Sequence, residues 1–151
     1  MNVMVPIDAY TSDGIYFYDP TKNVIVDGQF TKILYTTDSY HMCGAYIHIP
    51  ASRFTVVGQS MHTSEKCVSF AQFDPPTAQM LTLIERDILE KFPSASLHPQ
   101  YKMADQIGGG RVKLHSRTTT ISSVLLKISG IWHTKTQYGV TYKFIPMTAD
   151  Y

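Results

Sequence analysis

Cysteine is scarce in this chain: Cys43 and Cys67 are the only two in 151 residues. Two thiols exclude a disulfide-built scaffold and favour an intracellular setting. Long apolar runs are also missing. None approaches the roughly 20 residues needed to cross a bilayer as a helix, so no membrane association is expected. The opening residues, MNVMVPIDAYTSD, lack the basic and apolar regions of a signal peptide, so a protein that is not secreted is expected. No CxxC, HExxH, Walker-type phosphate motif or internal repeat occurs. What remains is ordinary: 44% hydrophobic and 17% charged residues, at a length that suits one folded domain spanning 1–151.

The formal net charge of +1 hides a segregation. Residues 1–100 hold six Lys/Arg against ten Asp/Glu, a balance of −4; residues 101–151 hold seven against two, a balance of +5. Such an asymmetry points to an anionic partner for the C-terminal part, or to attraction between the two parts within the fold or across a dimer.

Residues 1–23 mix turn formers with aromatics and read as a loosely ordered arm, with one short strand at Ile15–Tyr18. Strands are expected at Val24–Val26, Phe30–Thr37, Cys43–Ile49, Phe54–Met61 and Lys66–Phe73, with turns at Asp27-Gly28 and His62–Glu65. The alternation is clearest in Cys43–Ile49, where Ala45, Ile47 and Ile49 share one side and Tyr46 and His48 the other. The period then changes. Asp74-Pro75-Pro76-Thr77 is a helix start, capped by Asp74 or Thr77. Met80, Leu81, Ile84, Ile88 and Phe92 form an apolar stripe, with Glu85, Arg86, Asp87, Glu90 and Lys91 on the polar remainder. Pro93 ends the helix, and Ser94–Gln106 reads as a long loop. Strands, one amphipathic helix and closing strands make a mainly β fold that matches an OB-like Greek-key barrel; a sandwich or jelly roll with an inserted helix has the same order.

The closing stretch carries the chemistry. Gly108-Gly109-Gly110 precedes a strand, not a helix, so it reads as a hinge. Next, Arg111, Lys113, His115 and Arg117 fall on one face and Val112 and Leu114 on the other. Lys127 faces away from Leu126 and Ile128, and Lys143 away from Tyr142 and Phe144. If these strands pair, the six basic side chains form one patch able to hold phosphates; cations that only keep a sheet edge soluble are the plain alternative. Tyr101, Tyr138, Tyr142 and Tyr46 are the candidate stacking platforms for bases. Trp132 alternates with Leu126 and Ile128 and is therefore expected in the core. His41, Cys43, His48, His62 and Cys67 are close in sequence, but their spacing fits no usual zinc pattern. No nucleophile elbow or pair of catalytic acids is visible, so no enzyme, metal or cofactor is expected.

Leu125–Ile145, LLKISGIWHTKTQYGVTYKFI, resembles the closing hairpin of OB-fold single-stranded-DNA-binding proteins of DNA viruses and phages. The resemblance lies in Lys127, Gly130 with Trp132, and the returning Tyr138, Gly139, Tyr142 and Lys143. It implies binding of single-stranded DNA in replication or recombination, often as a dimer or higher oligomer, with contacts to other replication proteins. A viral source would place the protein in the host nucleus or cytoplasm, and single-stranded RNA is a related ligand. The competing expectation is a viral structural or assembly protein with a β-sandwich that self-associates without nucleic acid.

Overall fold

The computed structural model of the chain describes residues 4–23, 28–63, 66–93, 96–117 and 120–148, with the side chains at 21–23 and 61–63 left aside. The expected strand at Val24–Val26, residue Asp27 of the first turn, Ser64 and Glu65 of the second, and the last residues from Ala149 lie outside the described residues.

The molecule is mainly β, with two α-helices among the described residues. Its central strand is β11 (Ser123–His133). Along one edge β11 pairs antiparallel with β12 (Gln137–Met147) over nearly its whole length. Its other edge is shared. Residues 123–128 pair with β6 (Ala45–Pro50), and residues 130–133 pair with β4 (Gly28–Thr36). A bulge at Ser129 marks the change of partner. Strands β1 (Val5–Pro6), β2 (Ile15–Phe17), β3 (Thr21–Asn23), β5 (His41–Cys43) and β9 (His98–Gln100) complete this nine-stranded sheet. A second sheet joins β7 (Phe54–Thr63), β8 (Lys66–Phe73) and β10 (Val112–Ser116). Strand β10 lies beside β12 without a described pairing to it, so the two sheets stay open.

Burial follows the pleat. In β6, Ala45, Ile47 and Ile49 are buried, and Tyr46 and His48 turn outward. Gly44 takes a positive φ of 81° where the chain passes from β5 into β6. The inner face of the large sheet packs on helix α1 (Pro75–Lys91) through Leu81, Ile84, Ile88 and Leu89, and on the small sheet through Phe73, Val112 and Leu114. The Asp74 carboxylate accepts a hydrogen bond from the Thr77 N–H at 2.8 Å and so caps α1, with two prolines in the first turn where no N–H partner is needed.

Three sequence expectations change here. The described part of the segment read as a loose arm is tied in: Val5, Ile7 and Ile15 are in the core, and Tyr10 stacks on Tyr35 at 5.3 Å. The loop read at Ser94–Gln106 contains β9 and a second helix, α2 (Lys102–Gly108). Neither has a readable period, because β9 has three residues and α2 seven. Glu85, placed on the polar face of α1, is 0% exposed. Its carboxylate accepts from the Met103 and Ala104 N–H groups at 2.8 and 2.9 Å, so it holds the start of α2.

Candidate nucleic-acid interface

The outward face of the large sheet is built by the same alternation that fills the core. Lys127 and Lys143 lie directly opposite each other on β11 and β12, with Tyr46 of β6 on the far side of Lys127. The Lys127 Nζ stands 5.7 Å from the Tyr46 ring centroid. Two like charges facing across a strand pair repel, so this position costs stability unless an anion joins them.

The bulge at Ser129 reverses parity in the second half of β11. Ile128 is buried and so is Ile131, which turns Trp132 outward, against the core position expected for it. The indole lies over Gly139: a Cβ there would sit 2.6–2.9 Å from three ring atoms. Phe30, the register partner of Trp132 on β4, lies over Gly130 in the same way, its Cζ 2.7 Å from a Cβ built there. Both glycines leave the backbone open for an aromatic to cover. Lys102, at the start of α2, brings its Nζ to 4.8 Å from the Trp132 centroid. Lys32 of β4 is exposed on the same side. Phe30, Lys32, Lys102 and Trp132 were not among the site residues read from the sequence. The signal for Trp132 was a glycine at its register partner, Gly139, and for Phe30 a glycine diagonally across the strand pair, Gly130, both visible only once the pairing is known.

The expected basic strand is present. Val112 and Leu114 are buried, and Arg111, Lys113, His115 and Arg117 are exposed. It pairs with β8, however, and not with β11 or β12, so its row belongs to the second sheet. Arg111 and Arg117 flank the strand itself, which ends at Ser116.

The four expected stacking tyrosines divide. Tyr46 is half-buried on the outer face, and Tyr101 is 37% exposed just before α2. Tyr138 is 5% exposed, stacks on Phe92 at 5.6 Å and donates its hydroxyl to the Leu89 carbonyl, so it belongs to the core. Tyr142 turns inward too: its hydroxyl donates to Gln106 Oε1 at 2.6 Å. Burial, with the Glu85 carboxylate nearby, pushes its pKa up to about 12. Tyr138 is thus closed to a ligand, and Tyr142 is half-buried with its hydroxyl engaged.

The glycine triplet closes α2. The Gly109 and Gly110 N–H groups donate to Asp105 and Ile107 carbonyls at 3.1 and 3.0 Å, and Gly110 has φ +90°. Those two N–H groups are thus engaged within the chain and form no phosphate cradle. The triplet is the joint between α2 and β10, where a hinge was expected. No cluster of three or more His, Cys, Asp or Glu able to hold a metal occurs among the described residues.

Among the described residues, ion pairs do not use the C-terminal cations. Those found among the described residues are Arg53 with Asp8 and Arg86 with Glu90. Lys102, Arg111, Lys113, Arg117, Lys127 and Lys143 meet no carboxylate there. Comparison with models of protein families, with curated proteins and with solved structures finds no match to this chain.

Proposed function

We propose that this protein is a non-enzymatic binder of single-stranded DNA with little sequence preference, serving DNA replication or recombination. The observation that carries this reading is the outer sheet face. There Trp132, Phe30 and Tyr46 lie among Lys32, Lys102, Lys127 and Lys143, none of which has an ion-pair partner among the described residues. Phosphates on these cations release counterions, and bases on the rings add about 1–3 kcal/mol each without regard to sequence. An incoming base displaces the flexible Lys102 ammonium from the Trp132 ring and leaves that cation to a phosphate. A phosphate between Lys127 and Lys143 relieves their repulsion.

Gly130 and Gly139, two residues behind the resemblance to viral and phage single-strand binders, are the two over which Phe30 and Trp132 lie. We read the two open sheets, with β10 beside β12, as an incompletely closed relative of the OB-like barrel. On that reading the Arg111–Arg117 row continues the path of the bound strand. Association into dimers or higher oligomers and recruitment of replication proteins belong to the same proposal.

Fluorescence anisotropy of labelled single-stranded and duplex oligonucleotides over a salt series tests this. Single strands should bind more tightly than duplex, with affinity falling as salt rises. Equal affinity for both, unmoved by salt, would falsify the reading. Self-association without oligonucleotide binding would leave the structural or assembly role in its place.

A further inference from the structure

Phe30 and Trp132 occupy the front of β4 and β11; their chain neighbours Thr31 and His133 face the back. There a cavity of about 640 Å³ opens between these strands, β2 and the C-terminal end of α1. That volume falls within the roughly 300–1,000 Å³ typical of small-ligand pockets. Its floor is aromatic: Phe92 lies 5.3 Å from Phe17, edge to face, and 5.5 Å from the His133 ring. Tyr16 and Tyr18 border it, 57% and 46% exposed. Lys91 also lines it, together with Asp13 and Asp19; its Nζ lies 5.8 Å from the Tyr16 centroid and donates to the Ser12 carbonyl at 2.7 Å, so an incoming phosphate would have to take that donor over.

Two buried polar atoms on side chains that line this cavity lack a hydrogen-bond partner among the described residues: Thr31 Oγ1 and His133 Nε2. Leaving such an atom unsatisfied costs about 1–3 kcal/mol, so buried polar groups are nearly always paired. Burial also lowers the His133 pKa, which keeps the imidazole neutral near pH 7. The ligand this selects is flat, carries hydrogen-bonding groups on its edge, and keeps any negative charge at the entrance with Lys91. An aliphatic chain would leave both polar atoms unpaired. A carboxylate deep inside would face a neutral imidazole.

We propose that this cavity binds a single nucleobase, with its phosphate directed to Lys91. The inference rests on the single-strand reading above. Because β11 ends at His133, a strand leaving the Trp132 side rounds the end of β11 and can place one base behind it. The pocket would anchor the strand at one nucleotide while the sheet face holds its neighbours.

The test uses the full chain and three probes: dTMP, base-free deoxyribose 5-phosphate, and an oligonucleotide carrying 2-aminopurine. NMR follows the His133 ring signals, assigned by their loss in His133→Gln. dTMP should shift them saturably and the base-free sugar phosphate should not. Thr31→Val should weaken dTMP about two- to tenfold, the range of one neutral hydrogen bond. Tyr16→Ala, at a position 57% exposed, should also weaken it and serves if Thr31→Val fails to fold. Tight oligonucleotide binding with His133 signals and 2-aminopurine fluorescence unmoved would overturn the pocket and leave the single-strand reading intact. Binding of dTMP without oligonucleotide binding would support the pocket and remove that reading. Equal binding of the base-free sugar phosphate, or binding of no probe, would overturn the pocket.

Discussion

Trp132 is the residue on which the site turns, and its position depends on one extra residue. Counting alternate positions onward from Ile128 puts Trp132 inside; the bulge at Ser129 puts it outside, over Gly139. A bulge leaves no mark in composition, so the sequence could not reveal this. The opposite error was avoidable. The parity that turns Lys143 outward turns Tyr138 and Tyr142 inward, beside Val140 and Phe144. As the only tryptophan in the chain, Trp132 is its own probe. Its fluorescence should be quenched on titration with oligo-dT, and Trp132→Ala should cost about 1–3 kcal/mol of binding while Trp132→Phe costs less. Unquenched emission at saturation would remove Trp132 from the interface. Gly139→Ala tests the seat itself. The added methyl meets the indole at 2.6 Å, so the ring must lift away. A raised emission from free protein, with weaker oligonucleotide binding, is expected; unchanged emission would mean that the ring does not lie on Gly139.

Among the elements, those specified locally were legible and those specified by a distant partner were not. Helix α1 shows its Asp-Pro-Pro start, its cap and its stripe in sequence, and β6 shows its alternation. Helix α2 has only seven residues, and its first N–H groups are held by Glu85 from α1, 18 residues earlier in the chain. Glu85 itself looked like part of a solvated face because nothing in sequence shows what lies above a helix. Burial raises its pKa, against the two N–H groups that lower it. The sign follows from that direction. Below the ordinary carboxyl value of 4.5 both folded and unfolded states are protonated, and the stabilising contribution of this protonation is complete. As pH rises through the raised folded value the contribution is lost, and above that value the loss is constant. The stability of wild type relative to Glu85→Gln, from urea denaturation, should therefore fall from about pH 4.5 upward and then level off. A difference that grows with pH would refute the assignment. Since α2 also carries Lys102 to Trp132, Glu85→Ala should weaken oligonucleotide binding although Glu85 does not touch the face.

At the scale of the whole molecule the charge segregation was plain in the sequence, and its use depends on strand order, which composition does not contain. Attraction between an acidic N-terminal part and a basic C-terminal part would place C-terminal cations on N-terminal carboxylates, and the described ion pairs include none. The cations nevertheless divide between two sheets: Lys127 and Lys143 on the large one, and the row flanked by Arg111 and Arg117 on the small one. Whether these act as one surface is measurable, because each phosphate neutralised on a single strand contributes about 0.7 to the slope of log affinity against log salt. Lys127→Ala with Lys143→Ala should reduce that slope by about 1.4. If the strand crosses from β12 to β10, Arg111→Ala, Lys113→Ala and Arg117→Ala together should reduce it by about 2 more, for all sequences alike. The triple change should matter only for oligonucleotides long enough to reach both sheets. A slope that the triple variant leaves untouched at every length would confine the bound strand to the face around Trp132 and return the β10 cations to the role of keeping an exposed strand soluble.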